Sequence, residues 1–203
     1  IDDKQVEALL ALEQIYRESY QLKKAIAILK RLSDVLPSRR REFFERIAVL
    51  YLQLYQDKLA LKYAKDASLL AGKHDASAKA RLGKIYERQE NWKAAIKAYR
   101  EAITINSRLF KVYFSLARIY LQLGNHVDAV KLYHEVIRRS PDEEFVRRAA
   151  RFAIDIDEYL GQLLDLEREL IPLAFTYTHK KTYRITLVKL YARLVPRLAL
   201  EKQ

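Results

Sequence analysis

An internal repeat of 34 residues constrains this chain more than any other feature of its sequence. The segment RLGKIY at 81–86 aligns without a gap with SLARIY at 115–120. The same interval relates Ala95 to Ala129 and Tyr99 to Tyr133 further along the chain. A fixed period of this length is typical of proteins that stack many copies of one small structural unit, because a single unit cannot bury its apolar face alone.

Composition indicates that the repeated unit is helical. Gly and Pro occur only four times each in 203 residues, whereas an all-β fold needs a tight turn every ~8–12 residues. Ala, Leu, Lys, Arg, Glu and Gln, which favour helices, are abundant. We therefore expect a pair of helices in each repeat, with turns at Glu90-Asn91 and Gly124-Asn125, since Gly and Asn tolerate positive φ.

The repeated positions resemble those of the tetratricopeptide repeat (TPR) family, which has a 34-residue period and the pattern Leu-Gly-x-x-Tyr, Ala-x-x-x-Phe, Pro. Small residues such as Gly83 and Ala117 would let the second helix approach, and aromatic residues such as Tyr86 and Tyr120 would fill the gap to the next repeat. Two looser copies precede these repeats, carried by Tyr16, Ala25, Leu29, Leu32 and Pro37, and by Ala48, Tyr51, Ala60, Ala64 and Ala67.

The resemblance implies an all-α fold, a right-handed α-solenoid of antiparallel helix pairs known as the TPR superhelix. We place four TPR-like pairs in residues 1–143, at about 6–39, 41–74, 76–109 and 110–143, with one extra residue at each of the first two junctions. Pro37 and Pro141 are expected to end second helices.

The pattern degrades after residue 143. Arg151 and Glu167 stand where the repeat calls for a small residue and an aromatic one, so we interpret 144–177 as a degenerate fifth pair. Its second helix is predicted from Glu158 to Ile171, ended by Pro172. Residues 178–203 are predicted to form a basic hinge and a helix that caps the solenoid, which Pro196 should kink or end.

The resemblance also implies a binding site, because the first helix of each pair in this family lines a concave groove that holds a peptide or a helix. In the N-terminal half the corresponding positions are mixed or acidic, among them Glu42 and Glu45. The C-terminal half combines cationic, aromatic and polar side chains, which we take as the candidate site: Lys84, Arg88, Lys111, Phe114, Arg118, Gln122, Phe145, Arg148 and Phe152.

Such a groove suits a partner protein segment that carries both carboxylates and a large apolar side chain. The chain is accordingly predicted to be a protein–protein interaction scaffold. The competing interpretation is that these cations only solvate the surface, or pair with local acids such as Glu87.

The net charge of +12 leaves two further functions open. Basic runs at 39–41 and 179–184 could contact nucleic acid or an anionic membrane surface. We rank both below a protein partner, because no RNA-binding signature occurs and the repeat matches TPR rather than base-reading repeats. Self-association through the degenerate C-terminal end is the other alternative.

Catalysis, cofactors and metals are not expected. The chain has no cysteine, and its four histidines lack the spacing of a zinc site. The acids Asp155, Asp157 and Glu158 are interpreted as a helix end rather than an acid–base pair. No apolar run approaches the ~20 residues that cross a membrane. We therefore expect a soluble protein in the cytoplasm, with the periplasm left open as an alternative. Because the chain starts at Ile1 with no signal-peptide pattern, we interpret it as a fragment of a longer protein.

Overall fold

The computed structural model describes residues 3–72, 74–177 and 181–200, with side chains for all of these except residues 3, 169 and 195–200. Within these ranges the regular structure is helical, as predicted. The chain divides into two compact units, 1–106 and 107–203, here called the N-unit and the C-unit. The helices of the N-unit are α1 (Asp3–Glu18), α2 (Leu22–Val35), α3 (Arg40–Gln53), α4 (Asp57–Ala71), α5 (Ala76–Arg88) and α6 (Trp92–Ile105). Those of the C-unit are α7 (Phe110–Gln122), α8 (His126–Arg139), α9 (Glu143–Leu160), α10 (Leu163–Thr176) and α11 (Lys181–Leu200).

Successive helices of the N-unit pack as the pairs α1/α2, α3/α4 and α5/α6, and α2 packs on α3 as α4 packs on α5. Its core is built from side chains at helical spacing, for example Leu29 and Leu32 on α2 and Phe43 and Ile47 on α3, all fully buried. A short 3₁₀ turn at Pro37–Arg39 separates the first two pairs.

One backbone motif recurs at the turn inside each of the first four pairs. The second residue after the first helix takes a positive φ, at Tyr20, Tyr55, Glu90 and Gly124. The next N–H then donates to the carbonyl of the predicted aromatic position, from Gln21 to Tyr16 at 2.8 Å and from Asn91 to Tyr86 at 2.9 Å. This bond is the Schellman closure of a helix. The motifs lie 35, 35 and 34 residues apart, which matches the predicted register with its two extra residues.

The sequence located the two later turns, at Glu90-Asn91 and Gly124-Asn125, but did not predict which residues take the positive φ. We expected Gly and Asn to supply the positive φ, yet only Gly124 does so, while Tyr20, Tyr55 and Glu90 adopt the same conformation in the other pairs. The asparagines act instead as helix caps, since the side chains of Asn91 and Asn125 accept from the N–H groups at the start of α6 and α8.

Gly83 shows why the small-residue position is needed. A Cβ at this residue would lie 2.5 Å from Cδ1 of Tyr99, whose ring packs directly on the α5 backbone. Tyr99 is buried, and its hydroxyl donates to Glu87 at 2.7 Å. The close approach of α6 to α5 therefore depends on the missing side chain.

The predicted bounds of the second helix in the fifth pair were wrong. Helix α9 continues past Glu158 to Leu160, where Gly161 ends it with a φ of +74°. Helix α10 begins only at Leu163 and runs through Pro172 to Thr176. Pro172 is tolerated because it is exposed, and because the helix is held on both sides of it by buried side chains, among them Leu170 and Ala174.

The C-terminal helix also departs from its prediction. Pro196 does not end α11, which extends to Leu200 and packs on α9 and α10. Leu190 and Leu194 are buried as a core face requires, but Ile185 and Val188 are exposed. Residues 178–180 of the predicted basic hinge and the side chain of Leu198 lie outside the described residues.

Candidate partner-binding site

Three phenylalanines of the predicted site come together in the C-unit. Phe114 on α7 lies 6.0 Å from Phe145 and 6.5 Å from Phe152 between ring centroids, and both of these residues are on α9. The spacing of Phe145 and Phe152, seven residues apart, puts them on one side of α9. With Arg148, which lies between them on the same helix, we call this group the aromatic surface.

Tyr133 of α8 supports the aromatic surface from beneath. Its ring stacks on Phe152 at 5.2 Å and meets the edge of Phe114 at 5.5 Å. Tyr133 is only 3% exposed, whereas Phe152 is 40% exposed and Phe114 and Phe145 are partly buried. The phenylalanines are thus fixed by packing while part of each ring remains open to solvent. The sequence identified Tyr133 only as a repeat position, the counterpart of Tyr99, and did not predict its contact with the site.

The aromatic surface is positively charged. The guanidinium carbon of Arg148 lies 5.0 Å from the centroid of the Phe114 ring, a cation–π contact. Burial raises the pKa of the Tyr133 hydroxyl, and the charges of Arg118 and Arg148 partly oppose that rise. Because both arginines affect the Tyr133 hydroxyl, we include Arg118 in the positive charge around the aromatic surface.

Two other predicted residues extend the site along α7. Lys111 lies one turn before Phe114, and Gln122 lies at the end of the helix. Both side chains are exposed, and they belong to the candidate site by their position on α7 alone.

Lys84 and Arg88 lie in the N-unit, in surroundings of their own. Lys84 is at the mouth of an apolar pocket between α3, α4 and α5. Arg88 contacts its own unit instead: its Nε is 3.5 Å from Asp57, and its guanidinium carbon lies 5.4 Å from the ring centroid of Tyr55. Arg88 thus pairs with a local acid of its own unit, Asp57.

The other first helices of the N-unit are joined by ion pairs. Glu13 of α1, fully buried, pairs with Arg46 of α3, and Glu45 of α3 pairs with Arg81 of α5. Further pairs complete what we call the ion-pair cluster, formed by Glu13, Arg17, Arg41, Glu42, Glu45, Arg46, Asp75 and Arg81. The mixed charges predicted for this half of the groove are therefore largely neutralised by one another.

The acidic cluster on α9 has structural contacts. Asp155 and Glu158 both pair with Arg193 of α11, and Asp157 is buried with its carboxylate 2.8 Å from Nε2 of His134. In the parts of the chain that the structure describes, no three His, Asp or Glu side chains gather as metal ligands would. Over the same residues, no helix has the length and apolar character required to cross a membrane.

Comparison with known families identifies the repeat. The family described as the tetratricopeptide repeat protein 21 C-terminal ARM domain matches residues 1–150. The chain belongs to this family. Proteins of TPR type are generally protein-interaction scaffolds and are typically non-catalytic. No curated protein sequence is similar enough to count as a relative.

Solved structures share the fold. A crystal structure of MamA superposes with a TM-score of 0.65 at 17% identity, covering 96% of each chain. A tetratricopeptide repeat protein from Parabacteroides merdae gives a TM-score of 0.61 at 12% identity, over 93% of this chain and 86% of the other. BtubC from P. vanneervenii gives 0.65 at 15% identity, over 90% and 80%. The predicted all-α TPR fold is therefore confirmed, whereas these identities carry no information on the partner.

Proposed function

We propose that this chain is a scaffold that binds an acidic segment of another protein containing an aromatic side chain, and that the aromatic surface of the C-unit is the contact site. The observation that carries this proposal is the contact of Arg148 with Phe114, next to the 40% exposed ring of Phe152. Aromatic and arginine side chains are the residue types that dominate binding energy at protein interfaces.

The geometry favours a segment with two kinds of side chain. The phenylalanine rings offer an apolar face that a partner's aromatic ring can cover, and offset or edge-to-face ring pairs add about 0.5–1.5 kcal/mol beyond the buried area. Arg118 and Arg148 can each donate two hydrogen bonds to a carboxylate. Because Tyr133 and Phe110 hold the rings in place, little side-chain entropy is lost on binding.

The remaining predicted residues are proposed to contribute to binding to different extents. Lys111 and Gln122 would extend the contact along α7. Lys84 would bind a carboxylate in the N-unit, at the pocket described below. Arg88 would contribute least, because its charge is already compensated by Asp57.

The test uses fluorescence anisotropy with three labelled synthetic peptides of equal length. One contains Asp, Glu and Phe, the second replaces the acids with Lys, and the third replaces Phe with Ser. We expect only the first to bind with appreciable affinity, and we expect the variants Arg148→Glu and Phe152→Ser to weaken its binding at least tenfold, which is about 1.4 kcal/mol.

The matched control is Lys131→Glu, an equal charge reversal on α8 at a side chain that is 69% exposed. It should leave the affinity within about twofold, since an exposed charge that is not part of the aromatic surface acts only through a screened field. Unchanged binding in Arg148→Glu would remove the aromatic surface from the proposal. Tighter binding of a single-stranded oligonucleotide than of the acidic peptide would favour the nucleic-acid alternative, and a dimer in light scattering would favour self-association.

A further inference from the structure

An apolar pocket of about 190 Å³ lies in the N-unit between α3, α4 and α5. Its walls are made by side chains from all three helices: Ala48, Val49, Leu52, Ala64, Ala67, Ala78 and Ile85. The four alanines are almost completely buried, whereas Val49 at the mouth is 48% exposed. The pocket exists because small residues occur where larger side chains would otherwise meet.

The volume of the pocket sets the size of what it can hold. An apolar cavity of about 150 Å³ remains dry and binds benzene, so a space of about 190 Å³ accommodates a phenyl ring. Empty apolar space is unfavourable because the lining atoms lose contacts. A ring that enters would restore those contacts and cover Val49.

The charges at the mouth of the pocket determine which charged group is favoured next to a bound aromatic ring. Three charged residues line the pocket, namely Glu45, Arg81 and Lys84. Glu45 is held between Arg81 and Arg41, which neutralises it. Lys84 is exposed, and it makes no ion pair with any acid among the described residues. The mouth therefore presents one uncompensated positive charge beside an apolar opening.

We propose that this pocket receives the aromatic side chain of a partner protein, and that Lys84 binds a carboxylate adjacent to that ring. The proposal extends the proposed function to a second site with a different architecture, an enclosed pocket in place of an open surface. Its residues are separate from Phe114, Phe145, Arg148 and Phe152, so either site can fail in experiment without the other.

The test titrates the whole chain with two small probes, 3-phenylpropionate and its uncharged analogue 3-phenylpropanol, followed by amide chemical shifts in NMR spectra. We expect both probes to shift the amides of Ala48, Ala67 and Ile85. The acid should bind about threefold more tightly than the alcohol, because an exposed ion pair contributes modestly. In Lys84→Gln that difference should vanish while the alcohol binds as before.

A filled pocket provides the decisive variant. Ala64→Leu places added methyl groups into the space, and we expect it to abolish the binding of both probes while raising the melting temperature. If Ala64→Leu lowers the melting temperature instead, Ala67→Val fills less of the space and is used in its place. Phe152→Ser should leave probe binding unchanged.

Three results would overturn the inference: equal affinity for the acid and the alcohol in the parent, retained binding in a folded filled variant, or loss of binding in Phe152→Ser. The last of these would place the probe on the aromatic surface.

Discussion

The two units contain the same repeated pair of helices, but equivalent positions on their first helices differ in chemical character. Glu42 and Glu45 on α3 occupy the repeat positions that Lys111 and Phe114 occupy on α7. In the N-unit these acids are held by arginines of the ion-pair cluster. In the C-unit Phe114 meets Phe145 and Phe152 on α9, and Arg148 lies on the ring of Phe114.

This difference shows that a repeat uses separate sets of positions for helix packing and for the properties of its surface. The positions that face a neighbouring helix, such as Gly83 and Ala117, are small in both units because the backbone approach requires it. The positions that lie outside the core are free to vary. In the N-unit they stabilise the contact between first helices, whereas in the C-unit they leave aromatic area and positive charge exposed to a partner.

Removal of Arg46 should have the largest effect on stability. In Arg46→Met the fully buried carboxylate of Glu13 would keep only Arg17, whose Nε is 3.8 Å away. We expect the free energy of unfolding to fall by about 3 kcal/mol, since removing one partner of a buried ion pair leaves the other charge buried without compensation. Urea unfolding followed by the fluorescence of Trp92, the single tryptophan of the chain and a residue of the N-unit, would measure it.

The control for Arg46 is Arg147→Met, because Arg147 pairs with Glu144 and both side chains are exposed. That variant should change the free energy of unfolding by no more than about 1 kcal/mol. Equal losses in the two variants would mean that the ion-pair cluster contributes no more than an ordinary surface pair.

The C-unit has a buried carboxylate of its own, held by a histidine. His134→Leu would remove the hydrogen bond from the ring to Asp157, which is only 1% exposed. We expect a loss of about 2–3 kcal/mol, because a buried polar group that loses its partner bears the cost of desolvation. Circular dichroism during thermal and urea unfolding would detect it.

A double variant distinguishes pairing from packing at this position. In His134→Leu/Asp157→Leu both polar groups are replaced, so much of the stability should return. A double variant less stable than His134→Leu would show that the imidazole stabilises the fold by its packing rather than by the hydrogen bond. Asp157 would then differ from Glu13, the buried carboxylate of the N-unit, which is held by an ion pair.

The sequence was sufficient for the repeat and for the arrangement of three candidate residues along α9. Both depend on local periodicity: a fixed offset identifies the register, and spacings of three, four and seven residues put Phe145, Arg148 and Phe152 on one side of a helix. That Phe114 would meet these residues followed from the resemblance to TPR proteins, because adjacent first helices pack side by side in that family.

Other features depend on contacts that no local pattern encodes. The ion-pair cluster joins residues 33 to 36 positions apart, such as Glu13 with Arg46 and Glu45 with Arg81. The pairing of Arg88 with Asp57 is of the same kind. The course of α10 through Pro172 was missed because tertiary burial of Leu170 and Ala174 outweighs the local preference of proline.

The small-residue position allows the two units to be compared directly. Gly83→Ala should destabilise the N-unit by about 1–2 kcal/mol, because overpacking against Tyr99 outweighs the gain in helix propensity. Ala117→Gly, at the equivalent position of α7, should destabilise by about 1–2 kcal/mol through loss of helix propensity and of a fully buried methyl group. Both are measured by urea unfolding, and a stabilised Gly83→Ala would show that Tyr99 can move away at little cost.

The smallest expected effect tests a link between the ion-pair cluster and a helix terminus. Asp75 caps α5 by accepting a hydrogen bond from the Ala78 N–H at 2.8 Å, and it also pairs with Arg41. Burial alone would raise the pKa of its carboxyl group, but the Ala78 hydrogen bond and the charges of Arg41 and Arg81 outweigh burial and lower this pKa below 3.8. Ionised Asp75 therefore stabilises the folded chain at neutral pH, and this contribution is lost as the pH falls below about 4 through the lowered pKa.

Two substitutions separate the roles of Asp75. Asp75→Ala removes both the cap and the charge and should cost about 1 kcal/mol at pH 7, whereas Asp75→Asn keeps a good cap and should cost only about 0.5 kcal/mol, the value of a partly exposed ion pair. Urea unfolding at pH 7 and again near pH 3 measures both. The difference between the parent and Asp75→Asn should shrink at the lower pH. The reason is that pH 3 lies below the ordinary pKa of an Asp carboxyl group, so the unfolded chain then binds a proton that folding must release. A difference that stays constant between the two pH values would show that Asp75 acts as a cap alone, and that its pairing with Arg41 contributes nothing to stability.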